Sequence, residues 1–190
     1  MQSQKVSAIK LSSVDEVLTL LAGGGSEAYF GEPVSVLEHS LQAAWFVLQH
    51  GAENPLIAAA LLHDIGHLAH TDGEDAATHG LDTRHEELGF ALLGDHLPPS
   101  VLTPIRLHVA AKRFLCQADP SYLSALSFAS IESLELQGGP MNQAEAETFL
   151  ALPYAREAIA LRRADDAAKV QALAVPQLDS YRAILESLWR

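Results

Sequence analysis

Only one cysteine, Cys116, occurs in the 190 residues, so an internal disulfide is impossible and a thiolate-held zinc or iron–sulfur site is excluded. Basic side chains are scarce too: 12 Lys and Arg stand against 24 Asp and Glu, a net charge of −12. A surface of that sign repels phosphate backbones and anionic lipid, so neither nucleic acid nor membrane is the expected partner. A small anionic substrate in a locally positive pocket remains open. There is no apolar run of the roughly 18 residues that a bilayer span needs. Met1-Gln2-Ser3-Gln4-Lys5 carries no apolar signal core, and the expected setting is the reducing cytoplasm. Sustained period-two alternation and internal repeats are also missing, which argues against a sheet-based or solenoid fold.

What is present suits one globular domain, 1–190, with hydrophobic residues at 48% and charged residues at 19%. Helix-start and helix-stop residues recur along the chain. Ser13 caps a helix that runs to Leu21 and stops at Gly23-Gly24-Gly25. Pro33 is expected to open a second helix, Val34 to about Gln49, with His39 on its apolar side. Asn54-Pro55 starts a third, whose run Ala58-Ala59-Ala60-Leu61-Leu62 leads into His63-Asp64-Ile65-Gly66-His67. Gly66 and the stretch from Thr71 to Asp82 are expected to form a mobile loop. A fourth helix follows from about Thr83 to Leu93, with His85 near its start. A fifth begins at Pro98-Pro99-Ser100 and carries His108 and Lys112. Asp119 caps a segment extending to about Leu136, and Asn142 with Glu145 forms a capping box. Tyr154 to about Ala172 carries Asp165, and a last helix ends at Leu188. The prediction is all-α, with six to nine helices.

Nine histidines are many for this length. A His63-Asp64 pair alone reads as a capped helix end. It gains meaning from His39, His85, His108 and Asp165, which sit at or in other predicted helices. Five helices converging on an interior point is how bundles build metal sites. Four imidazoles and two carboxylates suit iron, manganese, zinc or cobalt. Six ligands exceed the needs of one catalytic ion and suit two ions that share Asp64. His50, His70, His79 and His96 are expected to face solvent.

The order His39, His63-Asp64, Asp165 resembles the HD-domain superfamily, and His85 with His108 is the pattern of its two-metal members. Tyr29-Phe30-Gly31-Glu32, His108-Val109-Ala110-Ala111-Lys112-Arg113 and Leu136-Gln137-Gly138-Gly139-Pro140-Met141 are similar to the mixed-valent di-iron oxygenases of phosphonate breakdown. The resemblance spans about Tyr29 to Lys169, so the core is expected within about 29–170.

That resemblance implies two iron ions, working as Fe(II)/Fe(III), with dioxygen as cosubstrate. One iron would take His39, His63, Asp64 and Asp165, and the other Asp64, His85 and His108. It further implies cleavage of the C–P bond of a 1-hydroxy-2-(amino or trimethylammonio)ethylphosphonate to phosphate plus glycine or glycine betaine. Coupling to an upstream hydroxylase would follow. Tyr29 is expected to cover one iron until Glu32 senses the substrate amine. Lys112 and Ser130 with Ser133 would meet the phosphonate, as would His67, which lies one turn after His63. Arg113 and Arg162 read either as supports or as surface charges. Trp45, Phe30 and Tyr122 are candidate walls for an N-methyl group. Ala164 replaces the tryptophan common in relatives before the aspartate ligand, which leaves Asp166 as a conceivable substitute. Two other readings stand beside this one: a metal-dependent HD phosphohydrolase acting on a nucleotide or phosphoester, and a non-catalytic HD module.

Overall fold

The structure, a computed structural model, describes residues 11–24, 29, 31–69, 83–94 and 96–190. Among them are ten α-helices and no strand, as the absence of period-two patterning predicts. They are α1 (Val14–Gly23), α2 (Val36–Gln49), α3 (Asn54–Leu62), α4 (His85–Leu93) and α5 (Pro99–Ala118). After these come α6 (Pro120–Ala125), α7 (Phe128–Leu136), α8 (Gln143–Leu150), α9 (Ala155–Ala167) and α10 (Arg182–Leu188). Two short 3-10 turns, Ile65–Ala69 and Leu178–Tyr181, complete the set.

The count exceeds the predicted six to nine because the segment after Asp119 divides. Its apolar pattern runs on, but Leu126 is extended and the Ser127 side chain accepts the Ser130 N–H, starting α7 afresh. The start of α2 also moves. Ser35, not Pro33, is the cap: its side chain accepts from Glu38 N–H while Glu38 accepts from Ser35 N–H. Two orphan donors are satisfied at once, which a proline start cannot do. Gly66 lies in the first 3-10 turn, not in a loop, whereas the stretch from Thr71 to Asp82 lies outside the described residues. The predicted helix from Tyr154 to Ala172 ends at Ala167.

α3 is the axis of the fold. Ile57 through Leu62 are all buried, so it has no solvent face, which marks a helix enclosed on every side. It packs on α2, α5 and α9, and α9 packs in turn on α2 and α5. α1 and α10 cover one end, contributing Val17, Leu21 and Leu185 to the same core. α4 lies against the first 3-10 turn and α5. The C-terminal end of α3 therefore opens into a space walled by α2, α4, α5 and α9. Among the described residues, the buried His39, His63, Asp64, His108 and Asp165 lie there.

Candidate metal centre

His39 comes from α2, His63 and Asp64 from the end of α3, His85 from the first turn of α4, His108 from α5 and Asp165 from α9. His39 and His63 are 0% exposed, and Asp64, His108 and Asp165 are buried with them. His85 is half-buried. All six predicted metal-directed side chains thus meet in one place.

Asp64 is the centre of the group. Its Oδ2 lies 3.5 Å from His39 Nε2 and 3.3 Å from His63 Nε2, while its Oδ1 lies 3.4 Å from His85 Nε2 and 3.7 Å from His108 Nε2. Asp165 Oδ1 closes the first set, 3.4 Å from His39 Nε2. The two oxygens of one carboxylate therefore face two separate donor sets. His39, His63 and Asp165 form one group able to hold an ion, and Asp64, His67 and His85 form another.

Tautomers decide what these contacts mean. His39 Nδ1 donates to the Ala168 carbonyl, His63 Nδ1 to that of Ala60 and His108 Nδ1 to that of Ile105, over 2.7–2.9 Å. A carbonyl only accepts, so each Nδ1 carries the proton and each neutral Nε2 presents a lone pair. Yet His39 Nε2 and His63 Nε2 are 3.2 Å apart, and His85 Nε2 and His108 Nε2 are 3.0 Å apart. At His39 and His63, whose Nδ1 protons are both committed to carbonyls, two lone pairs at that distance repel unless a cation lies between them. Donors bound about 2.1 Å from one ion sit about 3.0–3.4 Å from each other, the spacing seen here. The donor set fits two transition-metal ions sharing Asp64.

Electrostatics agree. Burial opposes ionisation of Asp64, but the surrounding imidazoles, His63 foremost, hold its carboxyl well below the usual carboxylate range. Burial likewise opposes Asp165, and the Arg162 guanidinium and His39 overrule it. Burial and then its imidazole neighbour His63 push His108 down to about 4, and His85 is depressed by burial and His67. His63 is pushed up to about 9: burial works against its cation, but Asp64 and Asp165 prevail. Two buried anions demand positive charge between them, and without a metal a proton supplies it.

Several supports were not evident from sequence. Arg162, only 5% exposed, donates to Asp165 Oδ2 over 2.8 Å and also pairs with Asp166. This settles its two readings in favour of a support. Asp166 points to Arg162 and the Tyr122 hydroxyl, so it is no substitute for Asp165. Arg113 instead braces Glu145 and the Gly139 carbonyl. Gln42, buried, holds both the N–H and the carbonyl of Val170 and so fixes the chain beside Ala168. Gly66 permits the first 3-10 turn to approach α4: a Cβ there would lie 2.8 Å from Gly89 N and closer still to the His85 carbonyl oxygen.

The other predicted residues take these places. The Tyr29 hydroxyl donates to Asp64 Oδ2 over 2.7 Å and its ring stacks on His39 with centroids 3.9 Å apart. Lys112 is buried and donates to Ser133 Oγ over 2.7 Å. Burial and Arg162 push its ammonium down to about 7. Ser130 accepts from Lys169, a lysine absent from the predicted site. Glu32 is not a bare carboxylate: it pairs with Lys169 at 2.9 Å. His67 stacks on His85, centroids 4.0 Å apart, and lies among the donor atoms. Tyr122 belongs to the Asp166–Arg162 network and Trp45 packs edge-on to Phe46, so neither is seen as a wall. Phe30, His70 and His79 lie outside the described residues. His50 is exposed as expected, but His96 is half-buried and stacks on Trp189.

Residues 36–166 match the HD domain family. The chain is 44% identical over 145 residues to the glycine-betaine-forming 1-hydroxy-2-(trimethylamino)ethylphosphonate dioxygenase of Leisingera caerulea, covering 76% of this chain and 74% of that one. It is also 44% identical over 163 residues to hydroxymethylphosphonate dioxygenase of Gimesia maris, covering 85% and 81%. Among the described residues no helix is long and apolar enough to cross a membrane.

Proposed function

This chain belongs to the HD-domain family, grouping there with phosphonate dioxygenases, and from that premise we propose that it is a di-iron dioxygenase cleaving the C–P bond of a 1-hydroxyphosphonate. His39, His63, Asp64 and Asp165 would hold one ion, and Asp64, His85 and His108 the other. Two iron ions supply, when bound, one-electron chemistry with dioxygen that no side chain here offers.

The protein's part is binding, orientation and exclusion. Lys112 and the Ser130–Ser133 ridge offer an ammonium and hydroxyls for a phosphonate, and charge-assisted bonds of this kind are the strong ones. Asp64, His85 and His108 would supply three protein ligands to the second ion, leaving room for a substrate hydroxyl, with His67 beside them. Arg162 keeps Asp165 ionised and aimed. Tyr29 holds its proton, because burial and then Asp64 raise the phenol well above its ordinary range; it is a neutral donor covering the bridging carboxylate.

The Tyr29–Asp64 contact carries the reading. A hydrolase draws its nucleophile from water and gains nothing from a cover over its centre before substrate arrives. An oxygenase gains from a cover that leaves only when an oxidisable substrate is present. Substrates of this class carry a hydroxyl on the carbon next to phosphorus, so a hydroxylase would act upstream. The single free thiol, Cys116, suits a reducing cytoplasm.

Iron-reconstituted protein tests the proposal with hydroxymethylphosphonate and with 1-hydroxy-2-(trimethylamino)ethylphosphonate. Conversion of a hydroxyphosphonate and dioxygen to a carboxylate and phosphate balances at one dioxygen per phosphate. That ratio is expected for at least one of them, with no phosphate released under argon. Phosphate release from nucleotides without dioxygen would point to the hydrolase instead.

A further inference from the structure

Lys169 occupies a position that the chemistry above leaves unused. Its three N–H donors have three partners: Glu32 Oε1 at 2.9 Å, Ser127 Oγ at 3.0 Å and Ser130 Oγ at 3.1 Å. Glu32 belongs to a turn closed on itself, because Glu32 N–H donates to the Tyr29 carbonyl over 2.7 Å and Tyr29 N–H to the Val34 carbonyl over 3.0 Å. Among the contacts that hold the turn are the Tyr29 hydroxyl on Asp64 and the Glu32 carboxylate on Lys169. Since main-chain bonds join the two residues, loosening one contact loosens the other.

Lys169 also stands on the ridge that would receive the phosphonate. Ser130 and Ser133 are one turn apart on α7, with Lys169 on the first and Lys112 on the second. Two ammonium groups from distant parts of the chain thus reach adjacent hydroxyls. Two cations match a dianion in charge, and Lys169 can turn to it by giving up Glu32.

The relatives sharpen the point. One is named for a substrate with a trimethylamino group, which has no N–H, and the other for hydroxymethylphosphonate, which has no nitrogen. An amine donating to the glutamate is therefore not a signal common to both substrates. The phosphonate is.

We propose that Lys169 is the latch of the Tyr29–Glu32 turn: its ammonium holds Glu32 before substrate arrives and passes to the phosphonate when it binds, releasing the turn and Tyr29 with it. This rests on the function proposed above. Lys169 acts through Glu32 on the covering tyrosine and is a positioning residue as well as a phosphonate contact. Charge accounts for the exchange, since a phosphonate dianion competes for an ammonium with twice the charge of a carboxylate.

Amide hydrogen exchange of the segment 31–36, measured on reduced protein without oxygen so that nothing turns over, tests the latch. Saturating hydroxymethylphosphonate should speed exchange severalfold in the wild type. In Lys169→Met, exchange should be fast with or without the ligand, and in Lys169→Arg, which keeps the cation, the dependence on ligand should return. If Lys169→Met fails to fold, judged by circular dichroism, Glu32→Gln takes its place, with faster exchange expected before any ligand is added. An unchanged or slowed exchange in the wild type overturns the latch. So does a full ligand response in Lys169→Met. Phosphate release by the wild type in air separates the two claims. Release without an exchange response removes the latch and leaves the function standing, whereas no release from either hydroxyphosphonate removes both.

Discussion

The Tyr29 hydroxyl donates to Oδ2 of Asp64, the carboxylate oxygen that also faces His39 and His63. One phenol thus sits on the group that joins two donor sets, and its ring lies over a member of the first. This contact links the metal-directed residues to the turn that carries Glu32.

Tyr29→Phe keeps the ring on His39 and removes only the hydroxyl. A buried hydrogen bond to a charged group is worth about 1.5–3 kcal/mol, so the cover should open roughly tenfold more often or more. The expected outcome is unchanged iron content with faster oxidation of the reduced protein by air before substrate is added, followed by absorbance. Loss of iron in this variant would show that Tyr29 is structural.

Gly66→Ala and Asp64→Ala should separate the two ions. A methyl at position 66 collides with the backbone of α4 at His85 and Gly89, so the donor set containing His85 is displaced while His39, His63 and Asp165 stay. Metal analysis should find about one ion per chain in Gly66→Ala and none in Asp64→Ala, because only the latter removes the carboxylate proposed to serve both ions. One full equivalent retained in Asp64→Ala excludes the bridge.

Arg162→Met leaves Asp165 buried without its guanidinium. Breaking a buried pair from one side costs about 3–5 kcal/mol, and urea unfolding of the metal-free protein should show a loss of that order. Since burial itself resists the charge on Asp165, the same variant should take up a proton there and bind metal less tightly. A stability change under about 0.5 kcal/mol, the size expected for surface substitutions, would contradict the role assigned to Arg162.

The pH dependence should follow Lys112. Burial, then Arg162, lower its ammonium from 10.5 to about 7. The cation is present below that value in the free protein and is lost as pH rises through it. Accordingly kcat/KM for a phosphonate should fall above about pH 7, since that parameter reports the free enzyme. Lys112→Met should have low kcat/KM and lack this limb. For stability the sign reverses: between about 7 and 10.5 the unfolded chain binds the proton and the folded one does not, so this residue favours folding increasingly as pH rises.

Local features of the fold were legible. Ser13 and the Asn142–Glu145 box cap the helices they were expected to cap, because a cap is decided within four residues. The choice of Ser35 over Pro33 was harder, since both are helix-start residues and only the paired bonds with Glu38 separate them. The division at Ser127 hides in a continuous apolar pattern. Contacts between distant residues left little trace: His96 meets Trp189, and Glu32 meets Lys169 across 137 positions. At the site the six side chains were readable from spacing and resemblance. The carbonyls that fix the imidazoles were not, because any residue has one. Those of Ala60 and Ile105 lie three residues before their histidines, a separation helix geometry brings together. Ala168 has no such cue. Gly66 was visible as a letter between two histidines, but only packing against α4 shows why no side chain fits there.

Isotope labelling tests the central claim most directly. Iron-loaded protein is supplied with hydroxymethylphosphonate under ¹⁸O₂ in ordinary water, and the formate and phosphate are analysed by mass spectrometry. Cleavage by dioxygen predicts ¹⁸O in the products, with none formed when the gas is withheld. Products that form without the gas, or that take all their new oxygen from water, would contradict it.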